Sequence, residues 1–379
     1  MTFNFDQWVD RSHSDSVKWN RYDPSVIPLW VADTDFASPP AVKRDLQQRV
    51  AEGLFGYGST PDELMQLVIK RLQQRYHWAI KPEWIVWMPA VVSALNIAVR
   101  AFSTAQDSVF LPTPIYPPFI QAAQYEGRRL RPLSSKVEAG HWVTDLNSQD
   151  SEIDGSEKLL MLCNPNNPTG TVFRREELLQ HLAFAQKHQL VVCSDEIHSD
   201  LILEQGVAHI PFASLNDDAA QRSVTLLSPS KTFSIAGLGL SMAIIPNPEL
   251  RQQFNDAKGH LLPDINLLAY VAATAAYREG DAWLEALLDY LRGNRALAMT
   301  RINAMPGLSM LNIEGTYLGW IDTTQSGISD PHRFFLEAGV ALTSGKDFGN
   351  PAFVRINLGC RRALLQEALD RMETALLAG

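Results

Sequence analysis

The chain has 379 residues, 46% of them hydrophobic, and a formal net charge of −9. That length is enough for two domains around a large core. The negative balance, with no long basic tract, argues against a dedicated nucleic-acid binder, and no run approaches the roughly 18 apolar residues of a membrane span.

In chain order, Pro39-Pro40 opens a helix over Ala41 to Glu52 that Gly53 stops. A second helix is predicted over 62–76. Ile85 to Met88 reads as a strand, followed by a helix from about Val92 to Phe102. Val109 to Leu111 is a strand ending at Pro112-Thr113-Pro114. The basic cluster Arg128-Arg129-Leu130-Arg131 reads as a solvated loop. Three short apolar runs, Leu159 to Cys163, Leu190 to Cys193 and Val224 to Leu227, read as buried parallel strands. The helical stretch Arg174 to His188 separates the first two, as a right-handed crossover should. Met242 to Ile245 is one more strand. From about residue 248 the pattern is mostly helical, with one long helix expected over 281–304. Leu308 to Gly379 mixes short strands with a terminal helix over about Arg362 to Leu377.

Met1-Thr2-Phe3-Asn4-Phe5-Asp6 has neither a basic nor an apolar region, so no secretion signal is predicted. Cys163, Cys193 and Cys360 form no disulfide or metal-ligand pattern, and no metal is expected. Cys163 and Cys193 read as small core residues. A cytoplasmic enzyme is the expectation, with no membrane or nucleic-acid partner.

Each of the three apolar runs leads into a polar signpost. These are Asn164-Pro165-Asn166-Asn167-Pro168-Thr169-Gly170, Ser194-Asp195-Glu196-Ile197-His198 and Ser228-Pro229-Ser230-Lys231-Thr232-Phe233. Ligands of open α/β sheets sit outside the carboxyl ends of the strands. An amide, a carboxylate and an amine are therefore offered to one site. That set suits a cofactor with a phenolic oxygen, a basic ring nitrogen and an aldehyde. Pyridoxal phosphate is such a cofactor, held by a lysine Schiff base with an acidic partner on the ring nitrogen.

The three motifs resemble, in type and order, those of the fold-type I pyridoxal-phosphate enzymes of the aminotransferase class I/II group. Four further segments narrow the resemblance to the cystathionine β-lyase, or cysteine-S-conjugate β-lyase, branch. They are Trp30-Val31-Ala32-Asp33-Thr34-Asp35-Phe36, Phe55-Gly56-Tyr57-Gly58, Gly315-Thr316-Tyr317-Leu318-Gly319-Trp320 and Phe353-Val354-Arg355-Ile356-Asn357-Leu358-Gly359-Cys360. The likeness runs from about residue 5 to the C-terminus. It implies an α/β, aspartate-aminotransferase-like fold: a mostly parallel central sheet with helices on both faces, plus a smaller α+β domain. The large cofactor-binding domain would span 46–280, and the small domain 1–45 with 281–379. A homodimer with shared active sites is also implied.

The resemblance assigns roles. Lys231 is the Schiff-base lysine and, once released, the base for the Cα proton. Asp195 pairs with the pyridine nitrogen; a helix N-cap is its plainer reading. Asn167 donates to the ring O3′ oxygen and helps hold substrate, although its loop is also simple turn chemistry. His198 tunes the phenolate, or is structural. The turn into the predicted helix offers the N–H groups of Val91 and Val92 to the phosphate, and Ser228 and Ser230 add hydroxyls. Tyr57 reaches the phosphate of the neighbouring subunit. Tyr116 stacks on the cofactor ring, or merely packs.

Arg355 clamps the substrate α-carboxylate with its planar fork; a surface ion pair is the alternative, and Arg361 and Arg362 stand nearby. Gly239 occupies a position where many aminotransferases carry a phosphate-binding arginine, which agrees with the lyase branch. Lys346 has no assigned role. No second arginine stands ready for a dicarboxylic side chain, so a broad or mainly apolar pocket is expected, with Trp30, Phe36, Trp320 and Tyr116 as candidate walls. The implied reaction is α,β-elimination on L-cystathionine or a related L-cysteine S-conjugate, a small amino-acid substrate, giving a thiol, pyruvate and ammonia. A class I/II aminotransferase using the same residues is the alternative. A protein of this fold with an added regulatory binding role is a further one.

Overall fold

Period-two burial along the central strands decides the architecture. Leu159, Met161 and Cys163 enter one apolar cluster and Leu160 and Leu162 another. A strand buried on both faces must lie inside a covered sheet. The computed structural model describes residues 3–11, 13–147 and 153–378. It contains an eight-stranded sheet in the order Ile85–Met88, Ser241–Ile244, Ser223–Leu227, Val191–Asp195, Glu157–Cys163, Ser108–Thr113, Arg129–Glu138 and His141–Thr144. The five strands from Ser223–Leu227 to Arg129–Glu138 pair in parallel. Ser241–Ile244 runs antiparallel to both of its neighbours.

The helices Val91–Phe102 and Pro117–Tyr125 cover one face, where Leu95, Val99 and Phe119 pack with Phe254. Arg175–Lys187 covers the other through Leu178, Leu182 and Phe184. No helix among the described residues is long and apolar enough to cross a membrane.

The basic cluster at 128–131 is not a solvated loop. Arg129–Glu138 forms a hairpin with His141–Thr144 and extends the sheet. Its arginines are held. Arg131 Nε lies 3.3 Å from Glu157, and Arg128 donates to the Ser103 carbonyl at 2.9 Å. Charge hid a strand whose guanidinium groups find acceptors at the sheet edge.

A second, antiparallel sheet runs Ser309–Met310, Leu318–Asp322, Phe353–Asn357, Thr343–Ser344. The helices Asp281–Ala304 and Arg362–Ala378 join it in one core with Phe5, Leu29 and Phe36 from the start of the chain. The two sheets meet closely at the Asn167 loop. The N–H groups of Glu314 and Gly315 both donate to the Gly170 carbonyl at 2.9 Å. Gly170 adopts φ +72°, and a Cβ there would stand 2.8 Å from Ile313 Cγ2. Only glycine suits that backbone without strain.

Candidate active site

The carboxyl ends of Glu157–Cys163, Val191–Asp195 and Ser223–Leu227 open onto one cavity of about 160 Å³. Asn167, Asp195, His198, Ser228, Ser230, Lys231, Tyr116, Val91 and Val92 all line it. The strand Val191–Asp195 carries its own terminal residue into the site. Asp195 Oδ1 accepts the Ile197 N–H at 3.0 Å. Burial pushes its carboxyl up to about 7, the Ile197 N–H opposing and Glu196 adding. Glu196 itself turns away, bonded to Ser194 Oγ, the Phe212 N–H and His209.

Lys231 Nζ donates to the Ala32 carbonyl at 2.7 Å. Burial holds this amine below the usual lysine range, with Asp33 and Asp195 opposing. His198 is buried, and its Nδ1 has no hydrogen-bond partner among the described residues. Burial, then the positive charge of Lys231 and Arg355, pushes it down to about 3, so it is neutral at working pH.

Arg355 is the unusual group. It is buried, yet no carboxylate pairs with it among the described residues. Its Nη1 donates to Asn167 Oδ1 at 2.9 Å, and its Nη2 donates to the Trp30 carbonyl at 2.8 Å and to Thr343 Oγ1 at 3.1 Å. Its guanidinium lies 5.0 Å from the Phe348 ring centroid. Burial lowers it to about 10, still cationic near neutrality. Because arginine only donates, the Asn167 oxygen is fixed towards it. The Asn167 amide NH₂ is therefore the end left to donate to a ligand oxygen.

The opposite end of the cavity is built from Pro89, Ala90, Val91, Val92, Ser230 and Gly239. Ala90 caps the helix Val91–Phe102 in an extended conformation, with no side-chain acceptor for the first N–H groups. Such an end attracts an anion. The Ser228 hydroxyl donates to the Leu240 carbonyl at 2.6 Å and accepts the Ser230 N–H at 3.1 Å. The two hydroxyls also meet at 2.8 Å, so Ser228 and Ser230 form one hydrogen-bonded pair at this end of the cavity. Gly239 has φ +72°, and a Cβ would stand 3.2 Å from the Pro89 carbonyl. An arginine would strain the backbone here.

Several expected walls lie elsewhere. Trp30 donates its indole N–H to the Lys18 carbonyl and sits under Arg21; only its own carbonyl meets Arg355. Phe36 packs edge-on against Phe5 and Tyr290 in the core. Trp320 stacks on Phe353 beside Phe348, opposite Arg355 in the strand register. Of the four, Tyr116 alone lines the cavity. Arg361 lies over Trp8, and Arg362 bonds Asn294, so neither joins Arg355. Tyr57 is fully exposed, at 102%, and away from this chain's cavity. Lys346 is exposed.

The motif reading missed the backbone acceptors, the Ala32 and Trp30 carbonyls, and the lining Cys163. The segment 30–36 drew notice for its aromatic rings, while its carbonyl oxygens meet Lys231 and Arg355. They are presented by a strap that Asn357 Nδ2 holds, donating to the Val31 and Asp33 carbonyls at 2.6 and 2.7 Å. Buried Lys18 adds a contact of 2.8 Å to Asp35.

The donor set fits pyridoxal phosphate. It offers an amine whose charging burial disfavours, a buried carboxyl, an amide NH₂ and a helix end suited to an anion around one cavity. A family model described as aminotransferase class I and II matches residues 24–372. The cystathionine beta-lyase PatB of Bacillus subtilis (strain 168) is 37% identical over 98% of this chain and 100% of its own length. Among solved structures, OvoB is 55% identical with a TM-score of 0.98, covering 100% of both chains. Cystalysin from Treponema denticola, whose crystal structure contains a pyridoxal 5′-phosphate cofactor, is 31% identical with a TM-score of 0.95, again over 100% of both.

Burying Asp195 has a measurable cost in the cofactor-free protein. Its folded pKa of about 7 lies above the ordinary value of 3.8, so stability falls as pH rises between them. Asp195→Asn is expected to stabilise the apoprotein at pH 8 by roughly 2–4 kcal/mol and to change little at pH 4. Thermal denaturation of both apoproteins across that range checks it.

Proposed function

The chain belongs to the aminotransferase class I and II family, and from that premise we propose that it is a pyridoxal-phosphate-dependent C–S β-lyase. It cleaves L-cystathionine or related L-cysteine S-conjugates to a thiol, pyruvate and ammonia. The observation that carries the reading is Arg355, a buried guanidinium without an acid partner among the described residues. A buried charge is tolerated when it is paired, and the α-carboxylate of an amino acid supplies that pair. Elimination is favoured over amino transfer by the glycine at 239, by neutral His198, and by similarity to a relative named cystathionine beta-lyase.

When bound, pyridoxal phosphate supplies an aldehyde for the substrate amine and an electron sink for the Cα carbanion. Lys231 anchors it covalently, Asp195 pairs with its ring nitrogen, and Asn167 donates to its phenolic oxygen. The N–H groups of Val91 and Val92, with the Ser228 and Ser230 hydroxyls, would hold its phosphate, and Tyr116 would lie against its ring. Arg355 fixes the substrate carboxylate and thereby sets which Cα bond faces Lys231. Lys231, freed when the substrate amine displaces it and disfavoured by burial from holding charge, takes the Cα proton. Loss of the β-thiolate follows, and water completes conversion of the remaining fragment to pyruvate and ammonia. His198, uncharged, leaves the phenolic oxygen to Asn167.

The enzyme is proposed to be a cytoplasmic homodimer acting on a small amino acid, with no nucleic-acid or membrane partner. The large domain is proposed to span 46–280 and the small domain 1–45 with 281–379. Exposed Leu54, Phe55 and Tyr57 support the dimer, because three large apolar side chains in four residues suit a covered surface.

Holoenzyme given L-cystathionine is expected to release pyruvate and free thiol in equal amounts, far faster than it exchanges amino groups with 2-oxo acids. Borohydride should fix the cofactor at Lys231, and Lys231→Ala should abolish both fixation and turnover. Amino exchange without thiol release would instead identify a transaminase.

The shared site has its own test. Tyr57→Phe removes one hydrogen bond to a charged group, worth roughly 1.5–3 kcal/mol of cofactor retention. Mixed Lys231→Ala and Tyr57→Phe subunits should form hybrids with one site carrying both lesions and one carrying neither. Activity should then rise above either parent. A monomer in sedimentation, or no rescue after proven subunit exchange, would reject the arrangement.

A further inference from the structure

On the side of the site away from the cavity, the loop after Val191–Asp195 and the segment after Lys231 meet the same buried ion pair. Asp200, two residues beyond His198, lies 2.9 Å from Arg71 Nη2, and Arg71 Nε donates to the same oxygen at 3.3 Å. The Tyr76 hydroxyl donates to the other oxygen at 2.9 Å. Arg71 and Tyr76 both belong to the helix Asp62–Tyr76. The Thr232 hydroxyl, next to Lys231, reaches Asp200 Oδ2 at 3.5 Å. The Arg71 guanidinium lies 5.5 Å from the centroid of Phe233, the following residue. The two side chains of the pair are 8% and 9% exposed.

The two residues that follow Lys231 are therefore gripped from behind. Thr232 meets Asp200, Phe233 meets Arg71, and Lys231 is aimed the other way, into the cavity. The loop carrying His198 is pinned at both ends by buried carboxylates. Glu196 holds one end through His209 and the Phe212 N–H, and Asp200 holds the other. The space beside the ion pair is about 20 Å³, room for one water and no ligand. Nothing there binds substrate.

We propose that Asp200 and Arg71 are positioning residues that fix Lys231 and His198 relative to each other in the site. The inference rests on the proposed roles of those two groups. Stability alone does not account for the pair. A buried ion pair is often no more stabilising than well-packed apolar side chains of similar volume. What it adds is direction. The planar guanidinium and the two carboxylate oxygens fix angles as well as distances. Burial would raise the Asp200 carboxyl, but Arg71 and Arg75 hold it below the ordinary range, so the grip is ionic at working pH. The other groups facing it are Tyr76, Tyr277 and Asp281.

The test compares wild-type holoenzyme with Arg71→Met/Asp200→Leu, which replaces the pair by apolar side chains, and with Thr232→Val. Asp281→Asn is the control. Asp281 also accepts from Arg71, at 2.8 Å, but its side chain is 63% exposed and makes no hydrogen bond to Lys231, Thr232 or Phe233 among the described residues. Three quantities are read: kcat and KM for L-cystathionine, the pH midpoint of the holoenzyme's visible absorbance, and the Tm of each apoprotein. Displacements of 1 Å can cost on the order of 100-fold, so a smaller tilt of Lys231 should lower kcat about tenfold in the double variant. KM should change little, the absorbance midpoint should move, and Tm should stay near wild type. Thr232→Val should show the same pattern more weakly, and Asp281→Asn should match wild type in kcat and midpoint.

A double variant with wild-type kcat and midpoint would overturn the proposal and leave the pair a purely structural one. Where the double variant does not fold, Thr232→Val decides, and an unchanged kcat and midpoint there would overturn it equally. Failure of the underlying assignment looks different. Borohydride would then fix wild-type cofactor at a lysine other than Lys231, before any variant is compared.

Discussion

The Arg355 guanidinium needs acceptors and has no acid, and much of the site is arranged around that need. Removing such an ion from water costs several kcal/mol unless its donors are satisfied. Three parts of the chain supply acceptors to its two terminal nitrogens, while Nε has no hydrogen-bond partner among the described residues. The strap at 30–35 gives the Trp30 carbonyl, the second sheet gives Thr343, and the loop after Glu157–Cys163 gives Asn167 Oδ1. None is an anion, so the positive charge stays uncompensated and available. The strap can serve because it is anchored in its own right by Asn357 and by the buried contact of Lys18 with Asp35. Its next free carbonyl, from Ala32, accepts from Lys231 and, at 3.3 Å, from the Tyr317 hydroxyl. One short length of backbone thus holds both the Arg355 guanidinium and the Lys231 amine.

The same burial sets the ionisation of the other groups. It keeps Lys231 and His198 from charging easily and keeps Asp195 from ionising easily. Each of these shifts opposes the stability of the free fold, and the Lys231 shift favours the free amine that a base requires, while Asp195 gains a reason to pair with a cation. Lysine is a useful base only when neutral, and two further cations beside Arg355 would repel one another. Glycine at 239 belongs to this balance. With φ +72° and the Pro89 carbonyl close by, it leaves helix N–H groups, and no arginine side chain, at the anion end.

Much of this was legible in the sequence. The helices at 62–76 and 281–304 were readable to the residue, because their apolar spacing runs unbroken between clear boundaries. The three signposts were readable because strand ends in an α/β sheet face one side, so Asn167, Asp195 and Lys231 converge once the strands are parallel. The hairpin at 129–144 was not readable, since Arg131 and the preceding Arg128 look solvated until Glu157 and Ser103 are seen beside them. The walls expected from Trp30 and Phe36 failed for a related reason. An aromatic ring near a motif says nothing of which way it turns, and here Arg21 and Tyr290 claim them. Backbone carbonyls carry no sequence signature at all, which hid the part played by Trp30 and Ala32.

The central claim is that Arg355 is a carboxylate receptor, and it is tested most directly by pairing one change in the protein with one in the substrate. An S-alkyl-L-cysteine and its α-carboxamide are compared on wild-type enzyme and on Arg355→Leu, measuring kcat/KM for all four combinations. Wild type should prefer the acid by roughly 30-fold or more, the scale of a charge-assisted contact of about 2 kcal/mol. Arg355→Leu should lose the acid's advantage and treat the two substrates nearly alike. An Arg355→Leu enzyme that still prefers the acid as strongly as wild type would contradict the account.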